Sequence, residues 1–106
     1  PLDRKMHVVR QIGNLRRVSM SPWVDIDRAS EAVGRDYIYT HKPNPTIVSM
    51  TSWDPALARD QMRDMYEKTR DNVLEVNLQD LHTVQKEPRR LTEWTEMAIQ
   101  LAEEYA

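Results

Sequence analysis

The chain reads as an α/β domain built on parallel strands. Three short runs, "LRRVSMS" (15–21), "DYIYT" (36–40) and "VLEVNLQ" (73–79), have strand character. Helical patterns lie before, between and after them, giving the order α-β-α-β-α-β-α. Strands separated by helices are joined by crossovers, so the sheet is parallel.

The first helix is expected over 3–12, where Leu2, Met6, Val9 and Ile12 recur at spacings of three and four. Asp25 can cap a second helix whose Ile26, Ala29 and Val33 share one face. Gly13 and Gly34 fall where a helix stops and a strand begins, which is C-cap usage. Asp54 followed by Pro55 is an N-cap with proline at the first helical position, and Ala58, Met62, Met65 and Thr69 make its stripe. Pro88 opens a fourth helix with Leu91, Trp94, Ala98, Leu101 and Tyr105 at helical period. Between the second strand and the third helix, "THKPNPTIVSM" is expected to be a loop. Its two prolines fix the backbone around His41, Lys42 and Asn44.

Alternation along the strands separates their faces. Leu74, Val76 and Leu78 oppose Glu75, Asn77 and Gln79; Val18 and Met20 oppose Arg17, Ser19 and Ser21. In the second strand Ile38 is set against Tyr37 and Tyr39, so the tyrosines are assigned to the polar face. A doubly wound sheet needs apolar side chains on both faces. One polar face instead predicts part of a (β/α)8 TIM-type barrel, with about three parallel strands and four helices. The inward face would then require strands that this chain does not supply.

At 106 residues the chain is one domain at most, able to bury about 60 to 70% of its unfolded surface. No linker or repeat divides it. A hydrophobic content of 40% with 30% charged residues describes a soluble globular chain. No apolar run approaches the ~20 residues that span a bilayer, so no membrane partner is expected. Fifteen basic and 17 acidic residues are scattered, for a net charge of −2, and offer no field for nucleic acid. With no cysteine, disulfides, thiolate zinc sites and cysteine nucleophiles are excluded, and a cytoplasmic setting is the default expectation. The opening "PLDRKM" suggests a chain already under way, hence a piece of something longer.

The stretch "VSMSPWVDIDRASEAVGRDYIYTHKPNP" (18–45), followed by the helix over 54–71, "LEVNLQDLHTV" (74–84) and a last helix ending in "EEY", resembles the uroporphyrinogen decarboxylase superfamily. The resemblance covers nearly the whole chain and places it at the C-terminal end of the family's barrel, in an uncharacterised branch. Lys42-Pro43-Asn44-Pro45 stands where the family has a "GNLDP"-like loop, without that loop's glycine and aspartate. "LEVNLQDLHTV" stands for the strand bearing "FNLGHG", with the histidine displaced by about two positions to His82.

The resemblance implies a site at the C-terminal ends of the strands, as in β/α barrels generally. Here that means Ser21 to Trp23, His41 to Asn44 and Gln79 to His82. Asp80 and His82 are the candidate catalytic pair, two apart at a strand end and able to act as acid and base. Ser21, Trp23, His41, Lys42, Asn44 and Gln79 are candidate substrate contacts, with Lys42 as a point charge for an anion and Trp23 as a stacking surface. The plainer readings are a solvated Lys42 on a stiffened turn, an Asp80 that caps its own turn, and a Trp23 that closes a rim beside Pro22.

The implied parent is a decarboxylase or a corrinoid-linked methyltransferase acting on a small anionic organic substrate. The family's decarboxylases use no cofactor, and their essential aspartate and arginines belong to a half this chain lacks. The methyltransferase relatives hold zinc through Cys and His, which this chain alone does not provide. No cofactor or metal site is therefore expected here, and the chain alone is expected to be inactive. Its expected partner is the missing barrel half or another copy of itself. Two other classes compete: a self-associating α/β interaction module, and a metal-dependent hydrolase using His41, Asp80 and His82. Trp53 is expected to staple the helix that follows it, the methionines at 62, 65 and 97 to be packing residues, and His7 to lie on an exposed helix face.

Overall fold

The computed structural model describes residues 2–79 and 81–106. It is an α/β structure with three parallel strands, β1 (Arg17–Met20), β2 (Ile38–His41) and β3 (Val73–Val76), in the sheet order β1-β2-β3. The α-helices are α1 (Met6–Val9), α2 (Ile26–Val33), α3 (Thr46–Ser49), α4 (Pro55–Lys68) and α5 (Arg89–Glu104), preceded by a 3-10 turn at Leu2–Arg4. None of these helices is long and apolar enough to cross a membrane. The chain divides into two compact units that interleave in sequence, Pro1–Pro43 with Lys68–Asn77, and Asn44–Glu67 with Leu78–Ala106.

The first unit holds the whole sheet. Val18, Tyr39 and Leu74 are register partners across it, as are Met20, His41 and Val76. Partners in register share a face. Val18, Met20 and Tyr39 form a buried cluster with Met6 of α1 and with Ala29 and Val33 of α2; Tyr37 and Leu74 pack against it. The tyrosines therefore belong to the helix-packed face, which corrects the face assigned to them from sequence. Ile38 and Thr40 lie on the opposite face with Arg17, Ser19, Val73 and Glu75. Tyr39 buries its ring in the apolar cluster, a larger gain than Ile38 offers there, and this sets the parity of β2.

α2 follows its sequence signals. The Asp25 carboxylate accepts from the Arg28 N–H at 3.2 Å, and Gly34 ends the helix with φ of 57°. Asn72, just before β3, secures the same helix end: its amide donates to the carbonyls of Ser30 (3.0 Å) and Gly34 (2.8 Å), and its Oδ1 accepts from Ser30 Oγ. The single helix expected over 3–12 is instead the 3-10 turn and the four residues of α1. After Val9 the N–H groups of Gln11 and Ile12 bond three residues back, and Ile12 is exposed. Asn14, not Gly13, takes the positive φ, 62°.

The second unit is helical. α3 forms inside the segment expected to be a loop: the Asn44 Oδ1 accepts from the Thr46 N–H at 3.1 Å and so starts the turn, while Ile47 and Val48 are buried. α4 begins as expected, with Asp54 Oδ1 accepting from the Leu57 N–H at 3.0 Å, and buries Ala58, Met62 and Met65. α5 buries Trp94 and Leu101 as expected, together with Arg90 and Met97, while Leu91, Ala98 and Tyr105 of the expected stripe are only half-buried. Tyr66 and Tyr105 stack at 5.8 Å, and the Tyr66 hydroxyl donates to the Ala98 carbonyl.

Arg90 is the charged member of this buried set. Fully buried, its guanidinium donates to the carbonyls of Val48 (3.3 Å), Met50 and Thr51 (3.2 Å), and to Glu87 at 3.2 Å. It thus satisfies the C-terminal carbonyls that α3 leaves open. Replacing it by methionine leaves those acceptors unpaired. Arg90→Met is expected to cost about 3 kcal/mol, read as a lower urea midpoint with an unchanged slope; an unchanged midpoint would contradict this role.

Candidate functional site

The face of the sheet opposite its helix-packed side carries a polar row that crosses all three strands. Glu75 of β3 is the register partner of Thr40, which is the partner of Ser19 of β1. Thr40 Oγ1 donates to Glu75 Oε1 at 2.5 Å, and Arg17 Nε of β1 lies 3.3 Å from the same oxygen. Thr40 is buried, Glu75 about a third exposed and Arg17 more than half exposed. The Arg17 guanidinium has a fork of five N–H donors, of which Nε faces Glu75. A carboxylate, a hydroxyl and a guanidinium are thereby fixed side by side on a rigid scaffold. Such a set can bind an oxyanion or orient a polar substrate group.

The sequence separated Arg17, Ser19 and Glu75 onto this face, but not Thr40. The reversed parity of β2 concealed it. The signal that would have found it is the burial of Tyr39: an aromatic flanked by Val18 and Leu74 belongs with them, which turns Thr40 toward Glu75.

The residues expected at the strand ends fall in both units. In the first, Ser21 follows β1 and Lys42 follows β2, directly after the register pair Met20 and His41, so they share one end of the sheet. Ser21 Oγ accepts from the Trp23 N–H at 3.3 Å, and the Trp23 side chain is 77% exposed. Lys42 is half-buried. In the second unit, Asn44 starts α3 as described, while Gln79 and His82 are exposed. Asp80 lies outside the described residues. Among the described residues no three His, Asp or Glu side chains are grouped to hold a metal ion.

His41 ends β2 on the helix-packed face, 5% exposed, with its carbonyl accepting from the Asn77 N–H at 2.9 Å. Burial lowers its pKa to about 4, because the imidazolium would be cut off from water. Burial, reinforced by the charge of Asp3, raises the Tyr39 hydroxyl to about 12. At neutral pH both are uncharged. Comparison of the chain with protein-family models, curated proteins and solved structures found no match.

The His41 shift has a defined consequence. Above pH 6.5 the imidazole is neutral in both folded and unfolded chains. Between pH 6.5 and about 4 only the unfolded chain takes up the proton, so stability falls as the pH falls. The loss is about 3 kcal/mol across that window. Unfolding of the wild type and of His41→Gln, followed from pH 7.5 to 4, is expected to show a shallower pH dependence in the variant; parallel curves would contradict a neutral buried imidazole.

Proposed function

We propose that the chain is the C-terminal three-strand portion of a β/α-barrel enzyme like the uroporphyrinogen decarboxylase superfamily, contributing part of an active-site wall and inactive alone. The parent is a cytoplasmic decarboxylase, or a relative of the corrinoid-linked methyltransferases whose zinc site lies in the other part, and its substrate is a small organic anion. One observation carries the reading: Arg17, Thr40 and Glu75 form a polar row on the face of a sequentially ordered parallel sheet whose other face packs against helices. In a β/α barrel the helix-packed face points outward and the opposite face lines the interior. Arg17 would then meet an anionic group from within, and Ser21, Lys42 and Gln79 would stand at strand ends where such barrels bind substrate. Asp80 and His82 keep the acid and base roles that the resemblance suggests.

A second reading rests on the same face. Arg17 and Glu75 have opposite charges, so two copies related by a two-fold axis could set each against its counterpart, making a self-associating module without catalysis. Light scattering at several concentrations, joined to a thermal melt, separates the two. A barrel portion is expected to give a monomer of low stability that turns nothing over. A defined dimer with a cooperative melt would overturn it in favour of the module.

A further inference from the structure

The segment that leads into α5 carries two successive non-glycine residues in the left-handed region. Gln85 and Lys86 have φ of 56° and 59°, and the Glu87 N–H donates to the Val84 carbonyl at 3.0 Å. Two left-handed residues closed by such a bond make a type I′ turn, whose central positions ordinarily go to glycine, asparagine or aspartate. Glutamine and lysine bring no relief from the crowding of Cβ against the backbone there, which disfavours each about 5- to 30-fold.

The two ends of the turn are held unequally. On the α5 side Glu87 accepts from the buried Arg90 guanidinium at 3.2 Å, and the same guanidinium occupies the carbonyls of Val48, Met50 and Thr51. On the other side the Gln85 N–H donates to Thr83 Oγ1 at 3.0 Å, and Gln85 Nε2 donates to the Ser49 carbonyl of α3 at 3.0 Å. Thr83, Gln85 and Lys86 are exposed. Hydrogen bonds open to water favour the closed form by only about 2- to 10-fold each. These two bonds and the turn's own bond therefore roughly balance the two left-handed residues. One end is anchored, and the other is close to letting go.

We propose that Thr83–Glu87 is a strap, pinned at Arg90 and latched to α3 by Gln85, that exchanges between a closed and an open form. Opening frees the Ser49 carbonyl and releases the stretch after His82 from the helix that Asn44 starts. Under the barrel reading, on which this last step rests, a substrate that touches both His82 and Asn44 selects the closed strap. The strap itself requires no barrel.

Amide hydrogen exchange of the full chain, resolved by residue, reads the strap at the Glu87 N–H, with the Met97 N–H inside α5 as the measure of global opening. Lys86→Gly lifts the crowding at one left-handed position and is expected to slow exchange at Glu87, relative to Met97, about fivefold or more. Gln85→Ala keeps the backbone demand and removes the latch, and is expected to speed it about 2- to 10-fold. A Glu87-to-Met97 ratio unchanged in either variant would overturn the proposal. So would a wild-type Glu87 that exchanges as slowly as Met97, because the turn would then open only with the whole chain. Neither readout involves turnover or oligomeric state, so the strap and the barrel reading fail separately.

Discussion

The register of β2 between two parallel neighbours is the constraint on which the first unit depends. A shift by one residue would carry Tyr39 out of the cluster with Met6, Val18 and Val33 and place Thr40 within it. The same shift would dissolve the row formed by Arg17, Thr40 and Glu75. Core and candidate site are therefore two sides of one choice. The choice is made by packing, since the buried tyrosine is the largest apolar surface that β2 can offer to α2. Asn72 reinforces it from the neighbouring connection by tying the end of α2 to the start of β3.

Local chemistry made much of this legible in the sequence. Asp25 and Gly34 bound α2, Asp54 and Pro55 begin α4, and the alternation in β1 and β3 separates their faces, because each signal acts within a few residues. Long-range decisions were hidden. The parity of β2 depends on which neighbours receive Tyr39, and alternating Tyr, Ile, Tyr and Thr residues do not reveal it. No residue near Arg90 in the chain announces its burial, because the three carbonyls around its guanidinium come from α3 and the residues just after it. α3 itself was masked by the prolines, which stiffen the segment without preventing Asn44 from starting a helical turn after Pro45.

The candidate site follows the same division. Strand ends were recognisable, so Ser21 and Lys42 emerge together at one end of the sheet. The row along its face was only half visible, because Thr40 joined it through the register. The buried side of β2 carries a different set of polar groups, Tyr39 and His41, whose chemistry is governed by exclusion from solvent. One strand thus presents an open polar row on one face and closed, uncharged polar groups on the other. The two faces differ in their access to solvent rather than in how polar their residues are.

The barrel reading rests on a three-stranded sheet in which, among the described residues, β1 and β3 each pair on one side only. Amide hydrogen exchange resolved by residue across β1, β2 and β3 measures this most directly. The account expects uniform protection along β2, bonded on both sides, and alternating protection along β1 and β3, where N–H groups directed away from β2 exchange quickly. Uniform protection of all three strands would contradict it, because the edges would then already be paired.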